Sequence, residues 1–277
     1  MNNKDITVIL LLFNTPEKII NNLRIYKSFN VVILDQSNDY KTKYKIKKIL
    51  NNIKYYNVRK KNEGFAKGIN FLVNKINTKY FLCSQPDVKI SYNSIIELKK
   101  TFIRNKNCFL SLPKIKNQKK NIKFKLMSSK SIDLDTNCSY GTIFFSSKNK
   151  FKNIGMFDEN FFFYWEDIDL SKRIIDNQGK ILISTKAIAT HKGGNSTTSG
   201  LKNLFIREVN FKFGEYLFSY KYKKLKFYKI VRQIINNFFY SFFYVLIFDK
   251  INCFKKIFQL LGIFKFLLFI LKYDQKR

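Results

Sequence analysis

The chain has 277 residues and 45% of them are apolar, which is enough for a sizeable core and excludes an intrinsically disordered protein. Lys and Arg number 52 against 19 Asp and Glu, a formal net charge of +33. That balance favours contact with polyanions, whether nucleic acid, anionic lipid or phosphorylated substrates.

The length fits one large domain, or one domain with an appendage. The cysteines, Cys83, Cys108, Cys138 and Cys253, are widely spaced and form no Cys-x-x-Cys pair. This argues against a zinc site and a disulfide framework, and suggests a reducing compartment. The first apolar run, Ile6–Phe13, could imitate a short signal peptide, but Asp5 precedes it and no small-residue cleavage site follows. It reads instead as a strand covered on both faces.

Thr15 and Pro16 then start a helix, with Thr15 as N-cap and Pro16 at the first helical position. A second strand, Val31–Leu34, ends in Asp35-Gln36-Ser37-Asn38. Lys45–Leu50 reads as a helix and Ile53–Val58 as a strand. A turn containing Gly64 leads into a helix that carries Lys67 and Asn70. Tyr80–Ser84 is a further strand and ends in Gln85-Pro86-Asp87. Strand and helix alternate, so this part predicts an α/β fold with a mostly parallel sheet. Ligands of such sheets bind at the carboxyl ends of the strands. Asp35, the Asn62–Asn70 turn and Asp87 all fall at such ends.

Lys114–Lys130 is basic and weakly patterned, and reads as an exposed excursion. Gly141 precedes a buried strand, and Phe151–Asp158 reads as a short helix ended by Gly155. Next comes Phe161-Phe-Phe-Tyr-Trp-Glu-Asp-Ile-Asp-Leu-Ser-Lys-Arg173. Leu170 and Ile174 are spaced i, i+4, and Asp169 can pair with Arg173, so a helix is predicted. Glu166 and Asp167 would sit in its first turn, where the helix dipole favours carboxylates. Beside the aromatic run they could form a base next to a dry pocket. The simpler reading is helix-start charges and one surface ion pair. Lys180–Ser184 reads as a strand, and the stretch Thr190–Ser196 as a flexible loop holding the only histidine, His191.

Past about residue 205 basic and aromatic residues interleave, and two apolar runs follow, Ile234–Phe248 and Ile257–Leu271. Each is shorter than the roughly twenty residues needed to span a bilayer. Lysines flank them, so the tail is expected to lie in an anionic membrane interface. The competing reading is a helical appendage packed on the domain or on a second subunit.

Several motifs stand in one order: Asn62-x-Gly64-Phe65-Ala66-x-Gly68-x-Asn70, Gln85-Pro86-Asp87, Gly141, Gly155-x-Phe157-Asp158-Glu159, Trp165-Glu166-Asp167-x-Asp169-Leu170 and His191-x-Gly193-Gly194-x-Ser196. Across roughly residues 5–200 this order resembles the family-2 glycosyltransferases, and within them the rhamnosyltransferase-like branch of bacterial cell-surface polysaccharide assembly. The resemblance implies a GT-A domain over residues 1–205, with a C-terminal helical extension over 206–277. It also implies a nucleotide-sugar donor, a divalent cation (Mg or Mn), and inversion at the anomeric carbon.

On the same resemblance, Asp35 contacts the base or ribose of the donor, and Phe13 and Asn14 lie on the donor side. Asn62, Gly64 and Asn70 shape the loop near the donor, and Lys67 either reaches a phosphate or is a solvated lysine, the second being the expected reading in so basic a chain. Asp87 matches the last acid of the family's Asp-x-Asp metal motif. Gln85 stands where the first acid would be, followed by Pro86, so the donor diphosphate must supply more of the metal's shell. His191 is the second candidate metal ligand. Asp167 matches the catalytic base, with Gly141, Trp165 and Glu166 on the acceptor side. The acceptor is expected to be a lipid-linked or lipid-anchored oligosaccharide, at the cytoplasmic face of the cell membrane. The branch leans toward a thymidine-diphosphate deoxysugar, and oligomeric state is not read. The competing readings are a nucleic-acid-binding protein and a catalytically inactive scaffold. The acids Asp35, Asp87 and Asp167 weigh against nucleic acid, because they would repel phosphates unless a metal intervenes.

Overall fold

The structure is a computed structural model and describes residues 3–116, 126–127, 133–191 and 200–274. It divides into two compact units. The first is Met1–Glu159 with Asp167–Thr198, and the second is Asn160–Glu166 with Ser199–Arg277.

The first unit opens as the alternation predicts: β1 (Ile6–Leu12), α1 (Glu17–Ile20), β2 (Asn30–Asp35), α2 (Tyr40–Ile49), β3 (Ile53–Val58), α3 (Phe65–Asn74) and β4 (Tyr80–Ser84). Next come β5 (Val88–Ile90), α4 (Tyr92–Arg104), β6 (Cys108–Lys116), β7 (Leu126–Met127), β8 (Asp133–Thr136), β9 (Ile143–Ser147) and α5 (Lys148–Asn153). α6 (Glu166–Asp176) and β10 (Lys180–His191) close the unit. Among the described residues these strands form one sheet in the order β3-β2-β1-β4-β9-β6-β10-β8-β7, with β5 paired to β10.

The strands β3, β2, β1 and β4 run parallel, so their carboxyl ends share one edge. β9 runs antiparallel between β4 and β6. β1 is buried on both faces, as a continuous apolar run requires. The two faces of β4 carry different aromatic groups. Phe81 meets Phe144 and Phe151, which pack with Phe157. Tyr80 points the other way, onto Phe102 and Phe145. Burying each such ring contributes roughly 1.5–3 kcal/mol, so this double layer anchors the centre of the sheet.

Local chemistry accounts for several helix starts. The side chains of Asp39 and Ser91 cap α2 and α4 by accepting from the N–H of Lys41 and Ser94. The expected Thr15 cap is absent. Pro16 occupies the N-cap position, and the buried Thr15 Oγ1 has no hydrogen-bond partner. α2 starts at Tyr40, ahead of the expected Lys45, because Asp39 supplies the cap.

The largest departure from the sequence reading is β10. The strand expected over Lys180–Ser184 continues to His191. Its pairing with β6 jumps from Ser184↔Pro113 to Ile188↔Lys114, so a bulge interrupts it, and beyond the bulge it pairs with β5. His191 is therefore a strand residue. Gly193, Gly194 and Ser196 lie outside the described residues, as does most of the basic excursion after Lys116.

The second unit contains α7 (Leu201–Lys221), α8 (Phe227–Leu246) and α9 (Lys250–Asp274), with α9 packed against both α7 and α8. Its core joins Phe161 to Phe213, Tyr216, Ile230, Ile263 and Phe266, with Trp165 packed on the cluster. The aromatic run ahead of α6 is thus part of this helical core. Tyr164 and Trp165 hold positive φ values of 71° and 72°, a left-handed pair that bulky residues rarely adopt. A Cβ on Gly214 of α7 would lie 2.9 Å from Trp165 Cδ1 and 3.0 Å from the Tyr164 carbonyl oxygen, so only glycine lets the helix approach this pair. No described helix is long and apolar enough to cross a membrane.

Candidate active site

The parallel strand order places the ends of β2 and β4 on either side of β1. Asp35 and Asp87 therefore extend from strands about 10 Å apart along one edge. Three groups of residues occupy that edge.

The first group joins the ends of β1, β2 and β3. Asn14, with φ 46°, donates its N–H to Ser37 Oγ at 2.7 Å. Asp35 is fully buried, and its carboxylate accepts from the Ser37 N–H at 2.9 Å and the Tyr56 hydroxyl at 3.3 Å. Burial raises its pKa, and the bonds from Ser37 oppose the shift. Phe13 is half-buried.

Gln36 ties this group to the Asn62–Gly64 turn. Its amide accepts from the Glu63 N–H at 2.5 Å and donates to the Gly64 carbonyl at 3.0 Å. Asn62 Oδ1 accepts from the Gly64 N–H at 2.9 Å. Gly64 caps α3 with φ 93°, a left-handed conformation that favours glycine. Lys67 is exposed. Asn70 points elsewhere: its amide donates to the Phe157 carbonyl at 2.8 Å and to Glu159 Oε1 at 3.1 Å, and accepts from the Phe157 N–H at 3.1 Å. It braces the Gly155–Glu159 stretch.

The second group lies at the end of β4. The Gln85 N–H donates to the Thr142 carbonyl at 2.9 Å, and Pro86 is buried. Asp87 is buried, and among the described residues neither carboxylate oxygen has a hydrogen-bond partner. His191 lies opposite, because β10 pairs His191 with Val88. Its Nε2 stands 3.3 Å from Asp87 Oδ2 and is likewise buried without a hydrogen bond. Buried polar atoms are normally satisfied, so a converging orphan carboxylate and imidazole fit a cation. Among the described residues no third His, Cys, Asp or Glu completes the set. Remaining positions would fall to water or to a ligand's oxygens.

The third group surrounds Asp167 in the first turn of α6. Gly141 donates its N–H to Asp167 Oδ2 at 3.0 Å, and Oδ1 accepts from the Ile168 N–H at 2.9 Å. Ser171 Oγ donates to the Asp167 carbonyl at 2.6 Å and accepts from the Ser139 N–H at 2.8 Å. Burial raises the Asp167 pKa, opposed by the Gly141 and Ile168 N–H groups. Gly141 and Thr142 are adjacent, so one short segment contacts Asp167 through the first and Gln85 through the second. The predicted Asp169–Arg173 pair is present at 2.8 Å. Trp165 and Glu166 belong to the second unit, where Glu166 is buried.

Sequence reasoning missed Gln36, Tyr56, Ser139 and Ser171. Gln36 was open to discovery, since it directly follows Asp35 in the turn after β2. The two serines carry no such signal, because they meet only when α6 packs beside the segment before β9.

This architecture is the GT-A fold, the α/β fold of glycosyltransferases, followed by a basic, aromatic helical extension. No protein-family model matches the sequence, and no curated protein matches it significantly. Similar solved structures include a mannosyltransferase from Pyrobaculum calidifontis in complex with GDP-Man and Mn2+. It has a TM-score of 0.59 and 13% identity, over 76% of this chain and 63% of that one. GalNAc-T7 with UDP, GalNAc and Mn2+ gives a TM-score of 0.55 at 13% identity, over 78% of this chain and 50% of that one. Residues 1–349 of TarS from S. aureus give 0.51 at 19% identity, over 74% and 65%. The chain thus spans half to about two thirds of the length of these chains, and at such identities they establish the fold.

Proposed function

We propose that the chain is a divalent-metal-dependent glycosyltransferase. It would move a sugar from a nucleoside-diphosphate donor to a hydroxyl of a lipid-linked or cell-surface glycan. The observation that carries this reading is the buried Asp87–His191 pair, orphaned at 3.3 Å on the carboxyl edge of a GT-A sheet. Solved structures of this fold bound to Mn2+ with UDP or GDP-Man support it. Asp87 and His191 would hold the cation, which when bound offsets negative charge on the donor's diphosphate.

Asp167 would act as base. Its raised pKa makes it a better proton acceptor than an ordinary carboxylate, while the Gly141 and Ile168 N–H groups fix its orientation. The acceptor oxygen would bond to the anomeric carbon as the carbon–phosphate-oxygen bond breaks. The hydroxyl proton passes to Asp167 and the nucleoside diphosphate leaves. A single displacement of this kind inverts the anomeric centre. A thymidine-diphosphate deoxysugar such as a rhamnosyl donor is the favoured substrate, on the motif resemblance. The reaction would take place in the cytoplasm, where nucleotide sugars are made.

The test is nucleoside-diphosphate release from a panel of UDP-, GDP- and TDP-sugars, with and without Mn2+. Metal-dependent release from one donor class, absent in Asp87→Ala, is the expected result. Release that is equal with and without metal would refute the metal-dependent reading.

A further inference from the structure

We propose that α8 is an in-plane docking element for an anionic bilayer, with its apolar face set into the headgroup boundary. The helix is apolar on both faces: Ile230 is buried in the helical core, and the face turned away from it is also apolar. Asn237 faces inward, 1% exposed, with neither amide atom hydrogen-bonded. The opposite face carries Tyr228, Ile235, Phe239, Phe242 and Leu246 at helical spacing, and all are exposed. Phe239 is 64% exposed and the adjacent Phe238 70%. Water is a poor solvent for such a contiguous stripe, so it requires a cover.

Charge selects the cover. α8 contains no Asp or Glu. Lys223, Lys224 and Lys226 precede it, Lys229 and Arg232 lie in its first turns, and all are exposed. A second copy docked by this face would bring like charges together, in a chain that already carries +33. An anionic lipid surface instead neutralises these cations while accepting the aromatic stripe. No described helix can cross a bilayer, so α8 lies along the surface. The proposal does not rest on sugar transfer, since it needs neither donor nor cation.

The test is flotation of the full chain with phosphatidylcholine vesicles, and with vesicles holding about 30 mol% phosphatidylglycerol at about 0.1 M salt. The protein should float only with the anionic vesicles. A Phe239→Ser/Phe242→Ser variant should partition about tenfold more weakly or worse. A Lys224→Gln/Lys226→Gln/Lys229→Gln variant should lose about a hundredfold. Both variants change outward residues and should keep the parent melting temperature. If the aromatic variant fails to fold, the lysine variant decides the outcome. Asp167→Asn protein should float like the parent, which separates this outcome from any failure of the transfer reading. Equal flotation on both vesicle types overturns the proposal. So does a soluble dimer, seen by sedimentation, that the aromatic variant dissociates.

Discussion

Asp87 Oδ2 and His191 Nε2 stand 3.3 Å apart, 104 positions apart in sequence (191 − 87), and neither has a hydrogen bond. Burying a polar atom without a hydrogen bond costs about 1–3 kcal/mol, and more where it is charged. Asp87→Ala should therefore raise the melting temperature of the metal-free protein. It should also abolish any stabilisation by Mn2+. His191→Ala should weaken the Mn2+ response by about tenfold or more while leaving Asp87 in place. Differential scanning fluorimetry with and without Mn2+ checks both variants. A full Mn2+ shift in either one counts against a shared cation.

Asp167 ties activity to stability with opposite signs. Its folded pKa is raised above the unfolded value. Its contribution to stability is thus complete below the unfolded pKa and is lost as pH rises through the folded pKa. Relative to Asp167→Asn, the parent should gain melting temperature as pH falls from about 7 to about 4. Turnover should move the other way, with the parent losing rate as Asp167 takes up a proton. At neutral pH the variant should be slower by about a hundred- to ten-thousandfold. A pH-independent difference in melting temperature would remove the raised pKa from the argument.

Asn70 predicts a stability effect without an effect on nucleotide affinity. Asn70→Ala leaves the buried Phe157 N–H and carbonyl unpaired, and should cost about 2–3 kcal/mol in urea unfolding. Nucleotide affinity measured well below the unfolding midpoint should stay within about twofold, since 0.4 kcal/mol is a twofold change in binding. A large affinity loss in a stable variant would instead put Asn70 beside the donor.

Gly214→Ala tests the left-handed pair ahead of α6. The new methyl would press on Trp165 and on the Tyr164 carbonyl, and overpacking of this kind costs about 1–3 kcal/mol. The expected readout is a lower melting temperature with altered Trp165 fluorescence. Trp165 is the chain's only tryptophan, which makes the signal specific.

Much of the first unit was legible because its signals are local. Ile53–Val58 and Tyr80–Ser84 coincide with β3 and β4, and the second is a short run between turn residues that is buried throughout, as such a run predicts. Asp35, Gly64 and Asp87 could be placed at strand ends for the same reason. Residues whose partners lie far along the chain were misread. The run Phe161–Trp165 looked like the wall of a pocket, but Phe161 packs with Phe213 and Ile263, which no local pattern announces. Asn70, placed on the donor side by the motif order, bonds to Phe157, 87 positions away, which no local pattern announces. His191 looked like a loop residue because the strand signal stops at the bulge after Ser184.

The ladder beyond that bulge governs which way the imidazole points. Side chains along an extended chain alternate, so direction depends on whether the count of residues back to the last fixed pairing is odd or even. Beyond the bulge the fixed pairings are Ala189↔Ile90, Thr190↔Lys89 and His191↔Val88, so a one-residue slip of this short ladder would aim His191 away from Asp87. The proposed cation site therefore hangs on the register of a three-residue ladder, and a slip there would disable it without altering Asp87 or His191.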